Sequence, residues 1–152
     1  ILELINNVFE QLEMKAKKKN ITLSLDELST CSVYVHADME RIQQVVSNLL
    51  VNSIKYGHNN GTTEVNVESL NKDKVVVRIT DNGEGIEEEH IPRLFERFYR
   101  VDKSGARSEG GSGLGLAIVK HIIEAHNQTI NVRSSIDKGA TFSFTLAKAD
   151  KK

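Results

Sequence analysis

The chain is organised around the stretch Glu109-Gly110-Gly111-Ser112-Gly113-Leu114-Gly115-Leu116-Ala117-Ile118-Val119, in which four glycines within six positions lead into an amphipathic helix. Glycine lets the backbone turn tightly and lets another group approach it closely. A helix that begins there has unpaired N–H groups at the positive end of its dipole, which suits an anion and above all a phosphate. The alternative is a flexible linker before a helix, since short glycine patterns often arise by chance.

Length and composition indicate one globular domain over residues 1–152, with 39% hydrophobic and 27% charged residues. The net charge of −1 gives no bulk attraction to nucleic acid or membranes, so we expect no nucleic-acid partner. The single cysteine, Cys31, excludes an internal disulfide and fits a reducing compartment. No apolar run could span a bilayer and no signal peptide is present. Because the chain starts at Ile1, within a helical pattern, we expect it to be a piece of a longer protein.

Apolar periodicity predicts both helices and strands. One helix covers residues 2–16, a second is capped by Asp38 and ends near Tyr56, and a third begins at Leu114. Alternating patterns predict strands, two of which form a hairpin around Asn71-Lys72-Asp73. These strands are expected at residues 21–25, 32–35, 64–70, 74–80, 129–133 and 141–146.

A polar stripe on the second predicted helix goes against helix propensity. Asn48, Asn52 and Lys55 follow at i, i+4 and i+7, beside the apolar face of the same helix. The functional interpretation is a row of amide oxygens and one ammonium facing a polar ligand, and amide oxygen suits Mg²⁺. The alternative is an ordinary polar outer face.

A second candidate element is Asp81-Asn82-Gly83-Glu84-Gly85-Ile86, at the end of a predicted strand. A carboxylate fixed there can accept a hydrogen bond from an exocyclic amine such as that of adenine, and two glycines leave room for a flat group. The alternative is a tight turn, because Asp-Asn-Gly is good turn chemistry and no third glycine completes a dinucleotide fingerprint.

The loop 103–113 lacks periodicity and is rich in glycine, serine and charge, which is typical of a disordered segment or a functional lid. Arg97 and Arg100 at its base are candidates for forked hydrogen bonds to phosphate, or are simply surface arginines. His121 and His126 are expected to be exposed or to cap a helix, since no histidine or cysteine spacing indicates a metal site.

Five stretches together resemble the ATP-binding catalytic domain of sensor histidine kinases, of the class related to osmosensors and phosphate sensors. Residues 48–56 resemble its N box and residues 81–85 its first glycine box. Residues 95–100 resemble the F box, residues 111–116 the second glycine box and residues 139–142 the last one. Any one box is weak, but all five in order over essentially the whole chain are very specific.

The resemblance implies an α/β (α+β) two-layer sandwich of the Bergerat type, with a mixed sheet of about five strands, three helices on one face and a flexible ATP lid. It implies binding of ATP or ADP with Mg²⁺, and presentation of the γ-phosphoryl group to a histidine in two-component signalling. That histidine would lie on a dimeric helical hairpin upstream of residue 1, and a response regulator would be an indirect partner. We expect the isolated domain to be monomeric and cytoplasmic, and the parent to be anchored in the bacterial inner membrane.

The resemblance also implies individual roles. The family residue matching Asp81 holds the adenine amine, assisted through water by the one matching Thr141. Asn52 would bind Mg²⁺ with Asn48 close by, and Lys55, Arg97 and Arg100 would meet phosphates. Asn48, Lys55, Arg97 and Arg100 would be the catalytic residues. Further nucleotide contacts would come from Tyr56, Gly83, Gly85, Ile86, Tyr99, Gly111, Gly113, Leu114, Gly115 and Leu116.

Position 48 separates the kinase from the alternatives. In the ATP-hydrolysing relatives a glutamate resembling a general base stands there, whereas asparagine cannot accept a proton in that role. An ATP hydrolase of the same superfamily is therefore the weaker interpretation, and the intact boxes argue against a degenerate interaction module. No segment of the chain resembles the phosphoacceptor hairpin, so we do not expect the chain to phosphorylate itself on histidine.

Overall fold

The computed structural model describes residues 1–26, 34–99 and 114–149. Three helices are present in this part of the chain: α1 (Leu2–Lys18), α2 (Met39–Tyr56) and α3 (Gly115–Ala125). The strands are β1 (Thr22–Leu25), β2 (Val35–His36), β3 (Thr62–Ser69), β4 (Lys74–Asp81), β5 (Ile130–Ser135) and β6 (Gly139–Lys148), and a short 3-10 helix covers Glu88–Arg93. None of the described helices has the length and apolar character needed to cross a membrane.

The strands form one mixed sheet in the order β1-β3-β4-β6-β2. Only β1 and β3 run parallel, and the other pairs are antiparallel. Strand β6 is long enough to take β5 along its first half and β2 at Ala147 and Lys148. The resemblance implied about five strands, and the sixth is the two-residue β2, which overlaps the short strand expected at residues 32–35. The predicted two-layer architecture is confirmed.

One face of the sheet carries the core because its side chains alternate. Phe142, Phe144 and Leu146 of β6 are at most 1% exposed and belong to the same hydrophobic core as the buried side of α2. The sequence predicts an apolar face of α2 formed by Ile42, Val46 and Leu49, with Val45 and Leu50 at its flanks. This face is confirmed, since all five side chains are completely buried. Burying each such side chain contributes about 1.5–3 kcal/mol, so this helix anchors the domain.

The sequence spacing predicts a buried stripe on α1 formed by Leu2, Ile5, Phe9, Leu12 and Ala16, and the observed stripe differs slightly from it. Ile5 and Leu12 are buried as expected, but Phe9 is only half-buried and Val8 is completely buried. Successive residues are about 100° apart around a helix. The buried face of α1 is therefore turned toward Val8 and away from Phe9.

Helix α2 is held at both ends. At its start the Asp38 side chain accepts a hydrogen bond from the Arg41 N–H at 3.3 Å, and Nε2 of His126 accepts one from the Asp38 N–H at 3.1 Å. At its end the Lys19 ammonium donates to the carbonyl oxygens of Ile54 (3.0 Å) and Lys55 (2.7 Å). These contacts fix the helix that carries the predicted asparagine stripe.

Candidate functional site

Asp81 ends β4 on the helix-facing side of the sheet and is only 6% exposed. Its Oδ1 accepts hydrogen bonds from the N–H groups of Gly83 (2.9 Å) and Ala140 (3.3 Å). Burial raises the pKa of the Asp81 carboxyl above its usual value, although these two hydrogen bonds and the charge of His58 oppose the rise. Because both hydrogen bonds from the described residues end on Oδ1, Oδ2 can accept one from a ligand.

The glycines after Asp81 make close backbone contacts. A Cβ on Gly83 would lie 2.5 Å from the Tyr56 carbonyl oxygen. Gly85 has φ +77°, and a Cβ there would lie 2.2 Å from the Ser135 carbonyl oxygen. The expectation that these glycines leave room for a flat ligand therefore needs correction, because protein backbone occupies the space that a side chain would fill. Their role is to press the loop against α2 and β5.

Ile86 closes this loop. Its N–H donates to the Ser134 hydroxyl at 2.7 Å, and that hydroxyl donates to the Gly139 carbonyl oxygen at 3.0 Å. The half-buried Ile86 side chain packs against the core. The loop is thus fixed to the β5–β6 turn, which keeps Asp81 in place.

The polar stripe of α2 is half-buried, at Asn48, Asn52 and Lys55. The Asn48 side-chain amide donates to the Gly115 carbonyl oxygen at 3.3 Å, at the start of α3. The Lys55 ammonium lies 5.2 Å from the centre of the Tyr56 ring. The stripe is therefore not a fully solvated outer face, because it is half-buried and Asn48 contacts the start of α3.

Helix α2 consequently joins the two predicted halves of the site. At its last turn the Glu84 N–H donates to the Tyr56 carbonyl oxygen at 3.4 Å, which connects it to the Asp81 loop. Two turns earlier Asn48 contacts the start of α3. Asn52 lies about 6 Å along the axis from both Asn48 and Tyr56. The carboxylate, the amide stripe and the glycine-led helix thus form one continuous arrangement.

Among the described residues, nothing covers the start of α3. No side chain caps it at Leu114, and a Cβ on Gly115 would meet nothing within 4 Å. Leu114 and Leu116 are half-buried, and Leu116 packs against the core. The first-turn N–H groups are thus available to an anion. Gly111 and Gly113 of the second glycine box lie outside the described residues.

The F box is described as far as Tyr99. The Tyr99 hydroxyl contacts Nδ1 of His90, and the Arg93 guanidinium lies 4.4 Å from the centre of the Tyr99 ring. Arg97 is exposed, 5.4 Å from the ring of Phe98. These contacts tie Tyr99 to the 3-10 helix rather than to the α2 stripe. Arg100, Cys31 and the predicted lid at residues 103–113 lie outside the described residues.

The predicted place of Thr141 beside the base is wrong. Its hydroxyl hydrogen-bonds that of Thr80 at 3.0 Å, and Thr80 is its pairing partner on β4. Thr80 and Asp81 are neighbours on one strand, so their side chains point to opposite faces. Thr141 therefore lies on the face away from Asp81, and it is the backbone N–H of Ala140 that reaches the carboxylate.

Sequence reasoning missed two polar residues near Asp81. Ser53 and Thr63 are 2% and 0% exposed, and their hydroxyl oxygens are 3.0 Å apart. The signal was present, because Thr63 is in phase with buried Val65 and Val67 of β3. Likewise Ser53 lies one helical turn after buried Leu49.

The chain belongs to the family of histidine kinase-, DNA gyrase B-, and HSP90-like ATPases, whose model matches residues 37–150. More narrowly, it matches the catalytic domains of sensor histidine kinases, as the sequence boxes predicted. Sensor protein kinase WalK of Staphylococcus saprophyticus is 36% identical over 143 residues, covering 93% of this chain and 23% of that protein. Phosphate regulon sensor protein PhoR of Haemophilus influenzae is 34% identical over 150 residues, covering 92% of this chain and 35% of that one. The chain thus spans a minor part of these relatives.

Solved structures agree with this membership. The mycobacterial sensor histidine kinase MprB is 27% identical with a TM-score of 0.82, covering 99% of this chain and 97% of that one. Full-length ShkA in complex with AMPPNP is 26% identical with a TM-score of 0.83, covering 98% and 30%. Histidine kinase ThkA in complex with response regulator protein TrrA is 30% identical with a TM-score of 0.77, covering 98% and 40%.

Proposed function

We propose that this chain binds Mg-ATP and presents the γ-phosphoryl group to a histidine on a separate dimeric helical hairpin. The observation that carries the proposal is the continuous path along α2, from the loop of Asp81 to the open start of α3. One end offers a buried carboxylate to a base, and the other offers free N–H groups to phosphates. The complex of ShkA with AMPPNP supports an adenine nucleotide as the ligand.

In this proposal Asp81 accepts a hydrogen bond from the adenine amine through Oδ2. Lys55 and the first turn of α3 neutralise the phosphates, with Arg97 and Arg100 approaching from the F box. The backbone of Leu114, Gly115 and Leu116 follows the phosphate chain, together with Gly111 and Gly113. Tyr56 and Ile86 line the nucleotide, while Gly83 and Gly85 hold the loop that carries Asp81.

The donor set fits Mg²⁺, since Asn52 and Asn48 offer amide oxygens, which are hard ligands. The Asn48 NH₂ group donates to the Gly115 carbonyl, so the oxygen of the same amide is left to face the cation. When bound, Mg²⁺ neutralises charge on the phosphates. Asn48 has no basic group to activate water, so the residues favour phosphoryl transfer over hydrolysis.

We extend the proposal to the wider setting of the parent protein. A hairpin upstream of residue 1 supplies the acceptor histidine in the parent protein, and the parent is anchored in the bacterial inner membrane with this domain on the cytoplasmic side. The complex of ThkA with TrrA supports a response regulator as the next partner in the signalling sequence.

Phosphorylation in trans tests this function. The chain is mixed with labelled ATP, Mg²⁺ and a phosphoacceptor hairpin, and we expect acid-labile phosphate on the hairpin. A hairpin whose histidine is replaced by glutamine is the control and should stay unlabelled. ATP binding without any labelling would favour the inert-module alternative, and release of inorganic phosphate without labelling would favour the hydrolase.

A further inference from the structure

Helix α2 ends without the left-handed residue that commonly caps a helix. The last carbonyl oxygens of a helix have no partner within it, and a left-handed residue turns the backbone so that following N–H groups can satisfy them. Gly57, which follows α2, is extended instead, with φ −74° and ψ 156°. The end of α2 therefore leaves room for a donor from another element.

Lys19 supplies that donor from the turn between α1 and β1. Its side chain is half-buried, and its ammonium donates to the carbonyl oxygens of Ile54 (3.0 Å) and Lys55 (2.7 Å). The positive charge lies at the negative end of the α2 dipole, where a cation is stabilising. Holding a lysine side chain in one place costs conformational entropy, so a lysine fixed between two helices needs a reason.

Other contacts already join the two turns that Lys19 connects. The Asn60 N–H donates to the Lys19 carbonyl oxygen at 2.9 Å, and the Thr22 N–H donates to that of Gly61 at 3.0 Å. The side-chain amide of Asn20 also donates to that of Asn60 at 2.6 Å. We therefore expect the α1–β1 turn and the α2–β3 turn to stay together without the ammonium. The reason for the ammonium is then sought in what the last turn of α2 carries.

The last turn of α2 carries Lys55 and Tyr56, two residues of the proposed nucleotide site. The Lys55 ammonium lies 5.2 Å from the centre of the Tyr56 ring, and the Tyr56 carbonyl oxygen accepts from the Glu84 N–H at 3.4 Å. Helix ends fray, and a backbone that frays at Lys55 moves its side chain as well. The position of the Lys55 ammonium thus depends on how firmly the carbonyl groups of this turn are held.

We propose that Lys19 is a positioning residue for nucleotide binding, which holds the last turn of α2 so that the Lys55 ammonium stays directed at the phosphates. The inference rests on the proposed function and adds a residue that lies outside the five sequence boxes. Lys19 itself touches no phosphate, and its effect on affinity passes through Lys55. Binding of a nucleoside without phosphates is therefore independent of Lys19.

The test compares ATP with adenosine in equilibrium titrations of the 152-residue chain in the presence of Mg²⁺. Lys19→Met removes the ammonium and keeps most of the side-chain stem. We expect it to lower the affinity for ATP roughly 2- to 10-fold. The affinity for adenosine, measured in competition with a fluorescent ATP analogue, should stay unchanged. Lys18→Met is the matched control, because it removes the same charge from an exposed neighbour and should leave both affinities nearly unchanged.

A double-mutant cycle with Lys55→Met separates positioning from a direct effect of the Lys19 charge. If Lys19 acts through Lys55, Lys19→Met should cost little further affinity for ATP in the Lys55→Met background, because the ammonium that it positions is gone. A direct attraction between Lys19 and the phosphates would give the same loss in both backgrounds, which would contradict the proposal. If Lys19→Met fails to fold, Lys19→Gln replaces it in the cycle, since it removes the charge and keeps an N–H donor.

The proposed function and this inference can fail separately. If the wild-type chain binds ATP, and Lys19→Met either keeps the full affinity for ATP or loses ATP and adenosine equally, this inference is wrong while the proposed function stands. An equal loss of both ligands would mark Lys19 as a merely structural residue. If the wild-type chain does not bind ATP, the proposed function fails and this inference fails with it.

Discussion

Asp81 combines burial with a charge, and it does so with few compensating contacts. Its Oδ1 is hydrogen-bonded twice, but desolvation still raises the pKa of the carboxyl. A side chain selected only for stability would not be a carboxyl group at 6% exposure. A buried ionisable side chain that lowers stability is typical of a functional position.

Asp81→Asn should therefore lose binding without losing the fold. An asparagine oxygen can still accept from Gly83 and Ala140, but the second carboxylate oxygen becomes an NH₂ group that faces the amine. We expect roughly a 10- to 150-fold loss of affinity for ATP, as for a hydrogen bond to a charged group. Fluorescence titration measures it, with Asp73→Asn in the exposed β3–β4 turn as the matched control. Equal affinities of wild type and Asp81→Asn would contradict the adenine assignment.

The same variant has a predictable pH dependence of stability. Because the pKa of Asp81 is higher in the folded state than its ordinary value of 3.8, the folded chain binds the extra proton more tightly. Wild-type stability is therefore lowered as pH rises from 3.8 through the folded pKa, and the cost is constant above it. Asp81→Asn lacks this cost, so at neutral pH its free energy of unfolding should equal or exceed that of wild type. Urea denaturation at several pH values measures the free energy of unfolding of both proteins. The advantage of the variant over wild type should shrink as the pH is lowered, and an advantage that grows on acidification would contradict this prediction.

Asn52 should act through the cation rather than through the base. Asn52→Ala removes an amide oxygen from the half-buried stripe, so we expect it to abolish most of the gain in ATP affinity that Mg²⁺ provides. Affinity measured in EDTA should change little. Asp81→Asn provides the contrast, because its loss should appear with and without Mg²⁺. An Asn52→Ala variant that keeps the full response to Mg²⁺ would remove Asn52 from the metal site.

At the scale of elements, the loop after β4 is defined by its backbone contacts. Gly85→Ala places a Cβ 2.2 Å from the Ser135 carbonyl oxygen at φ +77°, so the loop must move. We expect a loss of at least about 2 kcal/mol in the free energy of unfolding, from strain and overpacking together. Gly115→Ala is the matched control, since that Cβ meets nothing within 4 Å and alanine favours the helix. Thermal denaturation of both variants tests the contrast, which a stable Gly85→Ala variant would contradict.

The sequence predicted the elements well because their patterns are local. All three helices and six strands were predicted, and the cap at Asp38 was confirmed. Thr141 was misplaced because a one-residue difference in register moves a side chain to the other face of a sheet. The close contacts at Gly83 and Gly85 could not be predicted, since they depend on where α2 and β5 pass in three dimensions.

At the scale of the whole molecule, the site joins parts that are distant in sequence. Strand β4 supplies Asp81, α2 supplies the amide stripe, and α3 supplies the N–H groups. At one end of the site the sheet positions Asp81. At the other end α2 and α3 meet through Asn48 and Gly115. A ligand that spans this distance should therefore stabilise the entire domain.

Mg-ATP should accordingly raise the melting temperature of the chain. At 100 times the dissociation constant, binding stabilises the folded state by about 2.7 kcal/mol, which corresponds to several degrees for a domain of this size. Thermal scans at increasing ATP concentrations measure the shift, with Asp81→Asn as the control that should respond only at much higher concentrations. No shift in wild type at saturating ATP would contradict binding to the folded state.

The most direct measurement of the central claim is a crystal structure of the chain with Mg²⁺ and a non-hydrolysable ATP analogue. We predict the exocyclic amine within hydrogen-bonding distance of Asp81 Oδ2, the metal on the Asn52 amide oxygen and the phosphates at the first turn of α3. A nucleotide bound with its base away from Asp81, or with its phosphates away from α2 and α3, would contradict the account.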